Sequence, residues 1–74
     1  MKEKTIKFKT PDLAHQFVKT AGNCNFDVDI LYGHILIDGK STLGVFSLDF
    51  TQPATVRLHG NDQKLEDLLL LLAV

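Results

Sequence analysis

The chain predicts an α+β fold with elements in the order βαββαβα, and three observations carry that reading. Apolar and polar residues alternate with the period of a strand in four separate stretches, at 4–9, 26–30, 35–37 and 54–58. Two helix-start signatures, Thr10-Pro11-Asp12 and Gly60-Asn61-Asp62, each precede apolar residues at helical spacing. A third apolar segment, Leu43 to Leu48, has no period-two face because Gly44 and Ser47 interrupt it, and it fits a short helix.

Each element follows from its residues. Ile6 and Phe8 share one face of the first strand, Lys4 to Lys9. Thr10 is a cap-type residue, Pro11 suits the first helical position, and Asp12 places a negative charge where the helix dipole favours it. Leu13, Ala14, Phe17, Val18 and Ala21 then form one helical face, and Gly22-Asn23 supplies the stop. Phe26, Val28 and Ile30 alternate with Asp27 and Asp29 in the second strand. The turn Tyr32-Gly33-His34 leads to a third, with Ile35 and Ile37 inward, so the two strands form a hairpin. Val45 and Leu48 are the expected core residues of the short helix. Pro53 blocks its continuation, and Ala54 to Leu58, with Thr55 and Arg57 on the opposite face, form the fourth strand. Leu65, Leu68, Leu69 and Leu72 make the core stripe of the last helix.

Composition narrows the function classes. A chain of 74 residues is expected to form one domain spanning 1–74. At this size only about 60% of the unfolded surface is buried, which favours surface chemistry over an internal active site. A net charge of -1 with charges of both signs scattered along the chain gives no footprint for nucleic acid or an anionic membrane. The single Cys24 cannot close an internal disulfide, no signal peptide opens the chain, and the longest apolar run, Leu68 to Val74, is too short to span a bilayer. The expectation is a soluble, cytoplasmic protein without membrane or nucleic-acid partners.

The search for chemistry is mostly negative. Gly39-Lys40-Ser41 resembles the tail of a phosphate-binding loop, but His34 stands where that motif needs its first glycine. His15, His34 and His59 fall on a helix, a turn and a strand end. They show no spacing for a metal site, and no metal or cofactor is expected. Cys24 reads as a small core or edge filler in preference to a nucleophile. Asp27 and Asp29 read as solvated acids on a wet strand face in preference to a catalytic pair.

The element order, "QFVK" (Gln16 to Lys19), "DVDILYG", "DGKSTLGVFSL" and the Gly-x-Asp before the last helix resemble the histidine-containing phosphocarrier protein (HPr) family of the bacterial sugar phosphotransferase system. The resemblance spans nearly the whole chain, and Gly39 to Leu48 is its most specific piece. It implies an open-faced β-sandwich: a four-stranded antiparallel sheet with three helices on one face. It also implies a catalytic histidine just before the first helix with an arginine nearby, and a regulatory serine opening the second helix. The first of these sites does not map. Thr10, Pro11 and Asp12 occupy the position, no histidine or arginine lies there, and Asp12 would repel an incoming phosphoryl dianion. His15 is a weak substitute, more than one turn into the helix. The regulatory site maps onto Ser41, which is also a plain N-cap candidate.

Two function classes follow. One is a non-enzymatic regulatory or docking module that binds phosphotransferase-system or other regulatory proteins through Lys40, Ser41, Thr42, Leu43 and Phe46. Phosphorylation of Ser41 by a serine kinase would control it. The other is a working phosphocarrier relaying phosphate from enzyme I to sugar transporters through a non-standard acceptor such as His15. Leu70, Leu71 and Val74 lie outside the core stripe and suggest a homodimer contact.

Overall fold

The computed structural model describes residues 2–74. Its elements are β1 (Lys2–Ile6), α1 (Pro11–Gly22), β2 (Val28–Tyr32), β3 (Ile35–Asp38), α2 (Thr42–Phe46), β4 (Ala54–Leu58) and α3 (Gln63–Leu72). The four strands form one antiparallel sheet in the order β1-β4-β2-β3. The three helices share one face of it, giving the α+β open sandwich.

Register explains why one face is apolar. Ile6 pairs with Ala54 and Ile30 with Val56, while Leu58 stands between Lys2 and Val28. The apolar members of these rows are buried beneath the helices, where Phe17, Ala14, Ala21, Val45, Leu65, Leu69 and Leu72 meet them. The alternate rows face away from the helices and carry Glu3, Arg57, Asp29 and Asp38 side by side. Among the described residues no polar or charged side chain is buried, so the core carries no unpaired polar group of the kind that costs stability.

The first strand starts two residues and ends three residues earlier than the alternation predicts, at Lys2–Ile6 and not Lys4–Lys9. Pairing stops at Ile6 because its partner Ala54 follows Pro53, which has no N–H to donate to a ladder. Phe8 is nonetheless buried, because the chain turns it into the core and against Phe17. Lys2 and Lys4 share the face of Ile6 but stay exposed at the sheet edge, where Lys2 reaches Glu66 of α3 at 2.6 Å.

Ile35 also departs from expectation. It lies on the helix side with Ile37, but it is 58% exposed. α2 reaches only as far as Ile37, whose Cγ2 lies against Gly44, and no helix extends over the hairpin end. The turn there has two residues, Gly33 and His34, since Tyr32 pairs directly with Ile35. Gly33 takes a φ of 59°, as the first residue of a tight hairpin turn requires. Leu48 and Leu68 are half-buried against the core and not fully within it.

Gly39 is set by a close approach. Its N–H donates to the Val28 carbonyl at 2.7 Å, and a Cβ at this position would lie 2.7 Å from Val28 Cγ1 and 2.9 Å from that same carbonyl oxygen. Neither the strand backbone nor the buried valine can yield. Gly39→Ala is therefore expected to destabilise the protein by about 1–3 kcal/mol, measured by urea unfolding, with the α2 amides showing the largest shifts in an NMR spectrum.

Candidate functional site

The α1 entrance is a tight turn. Thr10 N–H donates to the Phe8 carbonyl at 2.8 Å, closing a three-residue turn around Lys9, whose φ is 72°. A non-glycine residue held this way is strained by about 1–3 kcal/mol. Two attachments hold it. Phe8 is anchored in the core, and Lys9 Nζ donates to the Leu71 carbonyl at 3.1 Å, placing an ammonium at the C-terminal end of α3 where the helix dipole favours it. Thr10 then caps α1, its hydroxyl oxygen accepting the Leu13 N–H at 3.2 Å. Pro11 is the first helical residue, and Asp12 stands exposed in the first turn.

No cationic partner for a transferred phosphoryl group reaches this entrance from β4. Arg57 lies on the face of the sheet away from the helices, between its pairing partners Glu3 and Asp29. Its Nε is 2.9 Å from Glu3 Oε2, at an angle that makes the contact an ion pair and not a hydrogen bond. Both partners are partly exposed, so this pair adds little to stability. His15 is exposed on α1, one turn beyond Asp12. His34 is exposed in the hairpin turn, and His59 meets Asp29 at 2.8 Å on the outer face. The three histidines do not converge, and among the described residues no group of three potential ligands could hold a metal ion.

The Gly39-Lys40-Ser41 loop is built by local hydrogen bonds. Asp38 accepts the Lys40 N–H on its carboxylate at 2.9 Å and the Ser41 N–H on its carbonyl at 3.0 Å. Lys40 Nζ turns inward to the Cys24 carbonyl at 2.9 Å, so its ammonium ties this loop to the end of α1 and does not point to solvent. Ser41 is the N-cap of α2, its hydroxyl oxygen accepting the Gly44 N–H at 3.1 Å. The helix ends at Ser47, whose hydroxyl donates to the Gly44 carbonyl at 2.6 Å.

On this short helix Val45 is the buried anchor, while Leu43 is 87% and Phe46 40% exposed. Phe46 is held by an edge-to-face stack on Phe50, with centroids 5.6 Å apart. Phe50 stacks in turn on Phe8 at 5.7 Å, and Phe8 on Phe17 at 5.2 Å. This ladder of rings runs from the fully buried Phe17 to the surface and joins the α2 patch to the α1 entrance. Sequence periodicity gives no hint of it, because Phe8 and Phe50 both lie outside regular elements. Beside Phe50 the Asp49 carboxylate accepts the Thr51 hydroxyl at 2.7 Å and its N–H at 3.0 Å, which holds the Asp49 carboxyl below its ordinary pKa.

Cys24 is buried, and its Sγ lies 3.5 Å from the Thr20 carbonyl. Burial pushes the thiol pKa up, the Asp62 charge adds to the effect, and Lys40 opposes it. A thiol so placed is a core filler and not an activated nucleophile. Leu70, Leu71 and Val74 are 62%, 59% and 65% exposed at the far end of α3. An open groove of about 480 Å³ between β1 and α3, lined in part by Lys2, Lys4, Gln63 and Leu70, lies at the end of β1 away from the α1 entrance. Among the described residues no helix is long and apolar enough to cross a membrane.

No protein-family model and no curated protein matches the chain. Among solved structures it is similar to the crystal structure of HPr-C-His from Thermoanaerobacter tengcongensis, at 24% sequence identity with a TM-score of 0.74, over 95% of this chain and 88% of that one. At this identity the likeness is one of architecture, and the chain has an HPr-like fold.

Proposed function

We propose that the chain is a regulatory docking module on an HPr-like fold that binds other proteins through α2 and does not relay phosphate through a histidine. The observation that carries this reading is the α2 surface. Leu43 and Phe46 are exposed on a helix that has its own core anchor in Val45, and the aromatic ladder continues their patch to the α1 entrance. Exposed leucine and aromatic side chains on a rigid support are the usual anchors of an interface. Thr42 belongs to the same exposed surface. Lys40 supports it from below, through its bond to Cys24, and does not contact the partner by its ammonium.

At the α1 entrance the chemistry of phosphoryl transfer is unsupported. Transfer needs a nucleophilic nitrogen and positive charge around the moving group, and this position offers the Thr10 cap, the Asp12 carboxylate and a Lys9 ammonium already bound to the Leu71 carbonyl, with no imidazole. Ser41 is the control point of the module. Its hydroxyl already sits where a helix dipole favours negative charge, so a phosphate there would reinforce the helix start and change the charge of the docking patch without unfolding it. The module is read as cytoplasmic and non-enzymatic, with phosphotransferase-system or related regulatory proteins as partners.

Incubation with phosphoenolpyruvate and enzyme I is expected to leave the protein unmodified, as followed by intact-mass spectrometry. An acid-labile phosphohistidine at His15 would establish the phosphocarrier reading instead.

Incubation with the HPr serine kinase and ATP is expected to add one phosphate, and Ser41→Ala to remove it. Absence of incorporation into the wild type would leave Ser41 with its capping role alone. The same substitution is expected to cost about 1 kcal/mol in urea unfolding, the ordinary value of a lost N-cap. Leu43→Ser, by contrast, should change stability by less than about 0.5 kcal/mol, since the side chain buries almost nothing within the monomer.

A further inference from the structure

The two edges of the sheet are treated differently. At β1 the edge carries Lys2, Glu3 and Lys4, and the chain's last residues lie along it. Ala73 bridges Ile6, Val74 N–H donates to the Thr5 carbonyl at 3.2 Å, and Lys7 N–H donates to the Leu72 carbonyl at 3.1 Å. Edge lysines and a covering segment are the devices by which sheets avoid pairing with other chains. At β3, the other edge, none of these devices is present. The strand reads Ile35-Leu36-Ile37-Asp38, with Ile35 and Leu36 58% and 61% exposed.

The hairpin register shows which backbone groups are free. The two-residue turn makes Tyr32 and Ile35 a hydrogen-bonded pair, and hydrogen-bonded pairs recur at every second residue. The Gly39 N–H to Val28 carbonyl bond continues that series. The N–H and C=O of Leu36 therefore point away from β2, and so does the N–H of Asp38.

We propose that β3 is a self-association surface through which two copies of the chain pair antiparallel about a two-fold axis at Leu36, joining their sheets into one of eight strands. In this register Leu36 faces the second copy's Leu36 with two backbone hydrogen bonds, and Ile35 faces its Ile37. His34 faces its Asp38. Every contact is between like or complementary groups. The imidazole N–H donates to a carboxylate that uses one oxygen for Lys40 N–H and has no other hydrogen bond among the described residues. A slip of two residues in one direction sets Asp38 opposite Leu36, and in the other leaves Asp38 without a strand partner. The alternation of side chains thus selects the central register. The interface is isologous and leaves β1 at both outer edges, so assembly closes at the dimer. Five residues per copy make it a weak, reversible contact. This inference does not depend on the docking role of α2.

The test is sedimentation velocity of the full chain across concentrations up to about 1 mM, with NMR exchange of the Leu36 amide as a second readout. The wild type is expected to show a concentration-dependent monomer–dimer equilibrium, with the Leu36 amide protected only at the high end. Leu36→Lys, at an exposed position where two like charges would meet on the axis, should abolish association while circular dichroism and thermal midpoint stay unchanged. His34→Asp should weaken association by about tenfold, and His34→Lys should preserve it. A wild type that remains monomeric throughout overturns the proposal. So does a dimer that survives Leu36→Lys, or one lost on Leu71→Lys, which would place the contact on α3.

Discussion

The ring of Phe17 is the contact on which the rest of the structure depends. It is fully buried at the centre of the helix–sheet interface, 5.2 Å from the ring of Phe8, and a Cβ at Gly39 would come within 3.3 Å of it. One side chain therefore fixes three segments that are distant in sequence: α1, the turn that enters it, and the loop that leads into α2. Phe8 held in this way forces the tight turn at Lys9. Gly39 without a side chain lets the loop descend close enough for Ser41 to start α2 above Ile37. Dense packing makes such a contact stiff, since interiors close-packed to crystal density transmit small displacements and do not absorb them.

The surface chemistry follows from that core. Because Phe8 and Phe17 are locked, Phe50 and then Phe46 can be stacked outward in a chain of edge-to-face rings, and aromatic pairs of this geometry add attraction beyond the area they bury. The outermost ring is thus exposed and yet held in place, so little side-chain freedom would be lost in a contact of the proposed kind. A five-residue helix such as α2 would not hold together in isolation. Its Ser41 cap, its Val45 anchor and the stack on Phe50 supply what length does not.

Much of the architecture was legible in the residues, because the signals there are local. Thr10, Ser41 and Asp62 each accept the N–H three residues on, an interaction that needs only a short polar side chain at the right place in the chain. Period-two alternation located β4 for the same reason, but set β2 two residues early, because Phe26 and Asp27 continue the alternation ahead of the paired strand Val28–Tyr32. It misplaced β1, because Lys2 and Lys4 occupy the inner face of an edge strand and give no apolar signal, while Phe8 continues the alternation after pairing has ended. It also placed Ile35 inward. The direction was right, but burial depends on whether a helix extends over the position, and α2 does not.

By itself the sequence determined the element order, the helix starts, the identity of the apolar stripe and the absence of a histidine or arginine beside Thr10-Pro11-Asp12. Each of these is written in residue type and short spacing. Only the tertiary structure decided that Lys40 folds inward to Cys24, that Arg57 on the outer face sits between Glu3 and Asp29, and that Phe8 and Phe50 join the two candidate surfaces into one. It also decided that β3 and not β1 is the open edge. These are relations between segments far apart along the chain, and they exist only once the sheet register and the packing around Phe17 have brought those segments together.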